Sequence, residues 1–302
     1  SNSSPINLVG DLTPATINFN STNNYEFGGA GKLTGLVILT KTNTGKVTIT
    51  TDNDNSGATL HRQGIIQIGT NGTSGLLSGN ISMTTNSTLI FNRSDASTFA
   101  GVISGPGTII NNSTNGTISL TANSSFTGGI LANAGTLQFG DGTGVSGAVA
   151  GRVTNNAVVA YNFNNAVTIA NSLSGTGLVN LINSSASSRR YNLPTTLQNS
   201  TFSGKFNVGP LVNLGTADGS TGTNQLGVGS VVYVEDTGSV LLDRSGNYRT
   251  TFYIQGAGNG AGNAGTPVAL EIEGISPPTT IHSNVYVLSS TTIGGFIGTS
   301  RI

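Results

Sequence analysis

Residues 116–140, GTISLTANSSFTGGILANAGTLQFG, contain the pattern that decides the fold of this chain. Ile118 and Leu120 alternate with hydroxyl side chains, and this period of two is typical of a strand with one buried face. Gly128 and Gly129 then interrupt the strand and supply a turn. A second apolar strand follows at once. Short strands that are separated by glycine turns predict an all-β chain.

The composition of the chain favours strands over helices and excludes several classes of protein. Of 302 residues, 8% are charged, 35% are hydrophobic and 44 are Gly, while Cys and Trp are absent. Ser and Asn compete with helical hydrogen bonds, and the ordered apolar runs argue against a disordered chain. Scattered Lys and Arg with zero net charge predict no nucleic-acid partner. No apolar run approaches the roughly 18 residues of a transmembrane helix, so the chain is not expected to span a membrane.

Two further expectations follow from the composition. Residues 1–30 are polar, and we expect no signal peptide within them. Without Cys there are no disulfides and no thiolate metal ligands, which fits an exported protein.

A recurring motif shows that the chain is built from repeats. The motif is an apolar residue followed by a Gly-x-Gly step, and its copies occupy residues 27–31, 103–107, 173–177 and 254–258. A second set of glycines, at Gly69, Gly140 and Gly215, keeps a similar spacing. The agreement between the two sets predicts degenerate repeats of about 70–80 residues.

Repeats of this length fit three coils of a parallel β-helix, a solenoid with roughly 22–25 residues in each coil. Short strands of one coil stack on those of the next, with aliphatic side chains inside and Ser, Thr and Asn outside. The repeat region is predicted to span residues 25–274. Residues 1–24 and 275–302 depart from the repeat, and each is predicted to be a cap or a strand exchanged with a neighbour, because an uncovered β-helix exposes strand edges.

The stretch at 116–140 resembles the autotransporter-associated β-strand repeat of passenger regions in bacterial autotransporters and related giant surface proteins. That family's pattern is a Leu-Thr-rich strand, a Thr/Ser-Gly-Gly step and an Ala-Gly-Thr-Leu-x-x-Gly strand. Residues 103–107 are similar to the family's spacer, and the resemblance covers about residues 25–260 with degenerate copies counted. The resemblance implies a right-handed parallel β-helix, export to the cell exterior and a scaffold rather than a particular chemistry.

The titratable residues predict no catalytic, cofactor or metal site. The acidic candidates are Asp52 with Asp54, Glu235 with Asp236, Asp95, Asp141 and Asp243. The turn at 52–54 loosely suggests a calcium loop but lacks the Glu of an EF-hand. Adjacent residues such as Glu235 and Asp236 point to opposite faces of a strand.

The other charged candidates also have ordinary interpretations. Arg93 and Asp95 share a strand face and predict an exposed salt bridge. His61 and His282 are far apart in sequence and have no Cys or neighbouring His as a partner.

Asn-x-Ser/Thr sequons are the one candidate for modification. They would be glycosylated only in a host that modifies its exported proteins. The candidate positions are Asn71, Asn80, Asn86, Asn92, Asn112, Asn115 and Asn123.

Together these features predict a non-enzymatic, extracellular structural or adhesive protein at the cell surface. It would act as a monomeric stalk or as a subunit of a surface filament that self-associates end to end, with cell-surface glycans or matrix as possible ligands. One alternative is a carbohydrate-active β-helix enzyme, lyase-like or hydrolase-like, which needs two or more carboxylates converging on one face. Another is a phage receptor-binding fibre, which is usually trimeric.

Overall fold

Short β-strands that pair in parallel make up both halves of the molecule in a computed structural model. The structure describes residues 5–144, 151–193, 201–216, 226–242, 247–259, 267–273 and 279–296, and no helix occurs within these ranges. The chain divides into two compact units, the first formed by Ser1–Phe139 with Ser146–Ala157 and the second by Gly140–Val145 with Val158–Ile302. Each unit is a parallel β-solenoid, so the predicted fold class is confirmed.

Most strands of the first unit are short. The strands are β1 Ile6–Leu8, β2 Asp11–Leu12, β3 Thr16–Asn20, β4 Tyr25–Gly29, β5 Lys32–Leu33, β6 Ile38–Thr42, β7 Lys46–Ile49, β8 Thr59–His61, β9 Gly64–Gly72, β10 Ile81–Met83, β11 Ser87–Arg93, β12 Ala96–Phe99, β13 Ile103–Gly105, β14 Thr108–Leu120, β15 Ser125–Phe126, β16 Gly129–Phe139 and β17 Arg152–Asn155. The longer β14 continues from one side of a coil to the next, because it pairs with both β11 and β12.

The strands of the second unit are uniformly short. They are β18 Val158–Asn162, β19 Val167–Thr168, β20 Leu173–Gly175, β21 Leu178–Ile182, β22 Arg189–Leu193, β23 Thr201–Phe202, β24 Lys205–Val208, β25 Val212–Thr216, β26 Val231–Val234, β27 Ser239–Leu242, β28 Asn247–Tyr248, β29 Thr251–Ile254, β30 Leu270–Glu273, β31 Thr280–Ile281, β32 Val285–Val287 and β33 Ile293–Phe296.

In the first unit, the main sheet stacks β1, β4, β7, β9, β11, β14, β16 and β17 in that order. Inward register partners, such as Val47↔Ile66 and Ile130↔Val153, are separated by one coil of the chain. A second sheet stacks β3, β6, β8, β10, β13 and β15. The length of these coils is close to that predicted from the repeat.

In the second unit, the main sheet stacks β18, β21, β24, β26, β29 and β32. Its coils vary more in length, since the chain between Phe252 and its partner Val285 is much longer than that between Val159 and Val179. A second sheet stacks β19, β22, β25, β27, β30 and β33. The longer coils explain why the repeat becomes degenerate toward the end of the sequence.

Alternation along each strand builds the core. In the stretch 116–140, Ile118 and Leu120 are buried while Ser119 between them is partly exposed. Ile118 stacks on Leu137 of the next coil, and both are almost completely buried. Burial of such a side chain contributes about 1.5–3 kcal/mol, so a solenoid is stabilised coil by coil.

The repeated Gly-x-Gly step has a structural cause. Its first glycine has a positive φ in all four copies, at Gly29, Gly105, Gly175 and Gly256. At Gly105 a Cβ would also lie 1.9 Å from the carbonyl oxygen of Met83 on the neighbouring coil. Only glycine satisfies both the left-handed backbone and the close approach of the next coil.

The two terminal segments contain strands of their own. Within the predicted N-terminal segment 1–24, β1 pairs with β4 and β3 pairs with β6. Within the predicted C-terminal segment 275–302, β32 pairs with β29 and β33 pairs with β30. That either segment acts as a cap or an exchanged strand stays a prediction.

One row of the second sheet in the first unit buries polar side chains. Lys41 and His61 are register partners, and each is at most 1% exposed. The Lys41 ammonium donates to the carbonyl oxygens of Thr42, Asn43 and Gln63 at 2.9, 2.7 and 3.2 Å. Burial lowers its pKa from the usual value.

The His61 imidazole is the second polar group of this row. Its Nε2 lies 3.0 Å from the carbonyl oxygen of Gly64, while its Nδ1 has no hydrogen-bond partner among the described residues. Burial lowers its pKa to about 4, a shift that nearby Lys41 reinforces, so the ring is neutral at pH 7.

The buried imidazole predicts a stability that falls on acidification. In the unfolded chain a His titrates near pH 6.5. Between about pH 6.5 and pH 4 the imidazole is therefore protonated in the unfolded state but neutral in the folded state. We expect the free energy of unfolding to fall by roughly 3 kcal/mol between about pH 6.5 and pH 4 because of this group. In His61→Gln that component should be missing, as measured by urea denaturation followed by circular dichroism. His282→Gln, at an exposed imidazole, is the control. An unchanged pH dependence in His61→Gln would refute the assignment.

Candidate functional site

The two acids of the suggested calcium loop point to different partners. Asp54 forms an ion pair of 2.6 Å with Lys32, and hydrogen bonding to Lys32 holds its pKa below the usual range. Asp52 accepts a hydrogen bond from the backbone N–H of Gly75 at 2.9 Å and lies 3.5 Å from Arg93. Asn53 between them is fully buried. The turn therefore does not bring its two carboxylates together around a cation.

Arg93 is the centre of the most extensive charged cluster described. Its guanidinium donates to the Asp95 carboxylate at 2.9 and 2.8 Å, and to the carbonyl oxygens of Gly75, at 2.6 Å, and Thr73. The Arg93–Asp95 pair forms as predicted, but the expectation of an exposed pair is wrong, because Arg93 is buried. The side chain is buried where it donates to two backbone carbonyls that follow β9. The alternation of residues around Arg93 could not predict these acceptors, because they lie on the preceding coil.

The remaining acidic candidates lie apart from this cluster. Glu235 accepts a hydrogen bond of 2.5 Å from the Asn207 amide. The Asp236 carboxylate lies against Gly256 of the next coil. Asp141 closes a turn with Thr143, whose hydrogen bonds lower the pKa of that carboxyl. Asp243 lies outside the described residues.

Neither histidine forms a metal site in the described part of the chain. His61 is in the core, and His282 is exposed with its Nε2 3.0 Å from the Oδ1 of Asn247. No three His, Asp or Glu side chains among the described residues are grouped so as to hold a metal ion. The described ranges also contain no helix that is long and apolar enough to cross a membrane.

The candidate sequons all lie on the surface or partly on it. Glycosylation of any of them stays a prediction. Asn71 in β9 and Asn115 in β14 have positive φ, and Asn112 accepts a hydrogen bond from Asn133. The exposed positions are Asn71, Asn80, Asn86, Asn115 and Asn123, while Asn92 and Asn112 are partly buried.

The outer surface of the second unit carries a column of tyrosines that sequence reasoning missed. Tyr233 stacks on Tyr253 and Tyr253 on Tyr286, each with ring centroids 4.8 Å apart and rings within 15° of parallel. The tripeptides at 232–234, 252–254 and 285–287 share an aliphatic or aromatic residue on each side of Tyr. That shared tripeptide was the available signal, but the unequal lengths of chain between its copies concealed it.

At β32 and β33, some side chains are exposed although their register partners on the preceding coil point into the core. We call residues at such inward positions interior-class residues. Val287 is the register partner of Ile254, yet it is 54% exposed whereas Ile254 is fully buried. Ile293 of β33 is 36% exposed, although its partner Leu270 is fully buried. The ring of Tyr286 is 43% exposed. We call Val285, Tyr286, Val287 and Ile293 the β32 face.

The same change occurs at the first coil of the first unit. Ile6 is 39% exposed while its partner Phe27 is 4% exposed, and Leu12 is 37% exposed while its partner Leu33 is 1% exposed. A cavity of about 300 Å³ reaches Ile6 and is also lined by Phe19, Tyr25, Lys41 and Val47. We call Ile6, Asn7, Leu8 and Leu12 the β1 face; of these, Leu8 is buried, at 5% exposure.

Backbone hydrogen bonds show that β32 can accept another strand. The N–H of Phe252 donates to the carbonyl of Asn284, and the N–H of Leu288 donates to that of Ile254. Alternate residues of a parallel strand bond to the same side, so the N–H and C=O groups of Val285 and Val287 point away from β29. No strand of the described chain pairs with them there. The β32 face therefore combines apolar side chains with an unpaired edge. The β1 face of the first unit and the β32 face of the second are two separate candidate functional surfaces.

The Arg93 cluster predicts a large stability effect from one substitution. Arg93→Ala removes a donor from the Asp95 carboxylate and from two backbone carbonyls. We expect a loss of roughly 1–3 kcal/mol, because the buried carbonyl of Gly75 is left without this donor. Arg93→Lys keeps the charge but not the fork of donors, and should fall between Arg93→Ala and wild type. The control is Arg62→Ala at an exposed arginine, which should stay within about 0.5 kcal/mol. Urea unfolding followed by circular dichroism measures all three, and equal values for Arg93→Ala and Arg62→Ala would disprove the buried role.

Comparison with known proteins gives one partial similarity. No model of a protein family matches the chain, and no solved structure matches it. A stretch of 80 residues is 41% identical to the adhesin BmaC autotransporter of Brucella suis biovar 1 (strain 1330). This stretch is 26% of the chain and 2% of the adhesin, so the match covers a small part of that protein. The similarity and the β-solenoid fold are together compatible with a passenger-type β-helix of an autotransporter surface protein.

Proposed function

We propose that this chain is a non-enzymatic extracellular β-solenoid that serves a structural or adhesive role and associates end to end through its β1 and β32 faces. The observation that carries the proposal is the exposure of inward-pointing side chains at both faces. The exposed residues are Ile6 and Leu12 at the β1 face and Val287 and Ile293 at the β32 face, while Leu8 is itself buried. Elsewhere in each column the same class of residue is covered by the next coil. Covering a half-exposed Val, Ile or Leu at each face is favourable at about 25 cal/mol per Å² of apolar surface.

The partial similarity to an autotransporter adhesin supports a location at the cell surface and an adhesive role. What that adhesin binds is not transferred to this chain, because the match covers 2% of its length. Cell-surface glycans or matrix remain the ligands we propose for an adhesive role.

The acidic residues favour a scaffold over a polysaccharide-cleaving enzyme. Such an enzyme needs one carboxyl whose pKa is raised to act as a general acid beside a second carboxylate. Asp52 and Asp95 approach the same guanidinium, and Arg93 holds the pKa of Asp95 below its usual range. This is the opposite of what a general acid requires.

A charge placed in the β32 face tests the proposed association. Val287→Lys should shift the protein from multimers to monomers, because an ammonium would have to be buried in the contact. The matched control is Val228→Lys, since Val228 is 61% exposed and lies away from both faces in sequence. Light scattering and electron microscopy of the full chain measure the particle size, and circular dichroism confirms that both variants fold.

Two results would count against the proposal. A wild-type protein that is monomeric at every concentration would eliminate end-to-end association. A closed trimer of wild-type protein that Val287→Lys leaves intact would instead favour the receptor-binding fibre.

A further inference from the structure

We infer that β32 of one copy pairs in parallel with β1 of a second copy, in the register Val285–Ile6, Tyr286–Asn7 and Val287–Leu8. This inference rests on the proposed end-to-end association and specifies its partner and register. It concerns the two faces alone and is independent of how the two units of one chain are arranged.

The two strands have the same order of residue classes. In β32 the interior-class residues Val285 and Val287 flank the outward Tyr286. In β1 the interior-class residues Ile6 and Leu8 flank Asn7, because Ile6 is the partner of the buried Phe27. Side chains alternate with a period of two along a strand. The aliphatic side chains of β32 therefore lie on those of β1 only in the proposed register or in one shifted by an even number of residues. A slip by one residue would place Asn7 against an apolar column.

The chain already contains a pairing of this kind. Asn207 of β24 is the register partner of Tyr233 in β26, and the pairs Phe206↔Val232 and Val208↔Val234 flank it. This is an outward Asn on an outward Tyr between two apolar pairs. The proposed contact would repeat that arrangement between molecules, with Asn7 covering the ring face of Tyr286 that Tyr253 does not.

The backbone hydrogen bonds agree with the same register. The carbonyl of Leu8 accepts the N–H of Gly31, just after β4, so the N–H and C=O of Asn7 point away from β4. On β32, Val285 and Val287 present their groups on the free side. In the proposed register the Asn7 N–H would donate to the Val285 carbonyl, and the Val287 N–H would donate to the Asn7 carbonyl. Side-chain alternation and hydrogen-bond phase therefore agree, and both repeat every two residues. The pairing of Asn207 with Tyr233 selects among the alignments that satisfy both, because it favours Asn7 opposite Tyr286.

A second side of the coil supports the contact. Leu12 follows β1 and Ile293 follows β32, and each is an interior-class residue that is more than a third exposed. Residues 279–296 contain no Lys, Arg, Asp or Glu, so no fixed charge would be buried on that side of the contact. Apolar surface on both faces, an unpaired edge and the absence of Lys, Arg, Asp and Glu on the β32 side fit a second copy of this chain better than a charged ligand.

Single cysteines test the register directly, because the chain has no Cys of its own. Asn7→Cys and Tyr286→Cys are prepared as separate full-length proteins, mixed and gently oxidised. Directly paired residues of neighbouring strands lie about 5 Å apart, within the range that a disulfide spans. We expect most of the mixed protein to appear as covalent dimers that reductant dissolves. A second pair, Pro5→Cys with Asn284→Cys, keeps Tyr286 and should give the same product.

Controls identify other contacts. Asn7→Cys mixed with Tyr253→Cys, one coil further in, and Asn7→Cys mixed with Leu288→Cys, which is out of register, should each give little dimer. Tyr286→Cys alone should also stay monomeric on a denaturing gel, and efficient dimers of it would establish an antiparallel contact between two β32 faces and overturn the inference.

Failures of the two proposals are distinguishable. If Val287→Lys disperses the multimers but neither cysteine pair cross-links, the register is wrong while association through the β32 face stands. If no multimers form, both are refuted.

Discussion

The register between coils is the constraint on which the rest of the structure depends. Because every described pairing is parallel, each inward side chain is covered mainly by the inward side chains of the coil before and the coil after. The column Leu89, Ile109, Ile130 and Val153 shows the result, with aliphatic side chains of similar size stacked through successive pairings. The outer face carries no such requirement, and so Ser, Thr and Asn suffice there.

The same constraint explains which features of the fold could be predicted from the sequence. The Gly-x-Gly step was recognisable because a positive φ and a close approach of backbones are demands on single residues, as at Gly105. Coil length followed from the spacing of those steps. In the second unit the coils differ in length, and so the alignment of Tyr253 with Tyr286 could not be predicted from a regular spacing.

The candidate site was less predictable than the fold. The sequence identified Arg93 and Asp95 as a pair, but the burial of Arg93 depends on the carbonyls of Thr73 and Gly75, which no side-chain pattern encodes. It identified two terminal segments that differ from the repeat, but not the exposed interior positions within them. Few residues are charged, and the described ion pairs join Lys32 and Arg93 to acidic residues of the same unit, so they mark no binding surface. What distinguishes the β1 and β32 faces is uncovered apolar surface, which becomes visible only when neighbouring coils are compared.

The buried Lys41 has a consequence for how the solenoid folds to one alignment. Coils of similar aliphatic residues could slide past one another by a whole turn with little loss of apolar contact, which is the ambiguity of any repetitive chain. An ammonium in the core reduces this ambiguity, because its acceptors come from two coils. The carbonyls of Thr42 and Asn43 follow Lys41 in its own coil, and that of Gln63 belongs to the next coil. A misaligned coil would take away the one acceptor that the neighbouring coil supplies, the Gln63 carbonyl. The buried Lys41 therefore favours the native alignment of its coil over alignments that are shifted by a whole turn.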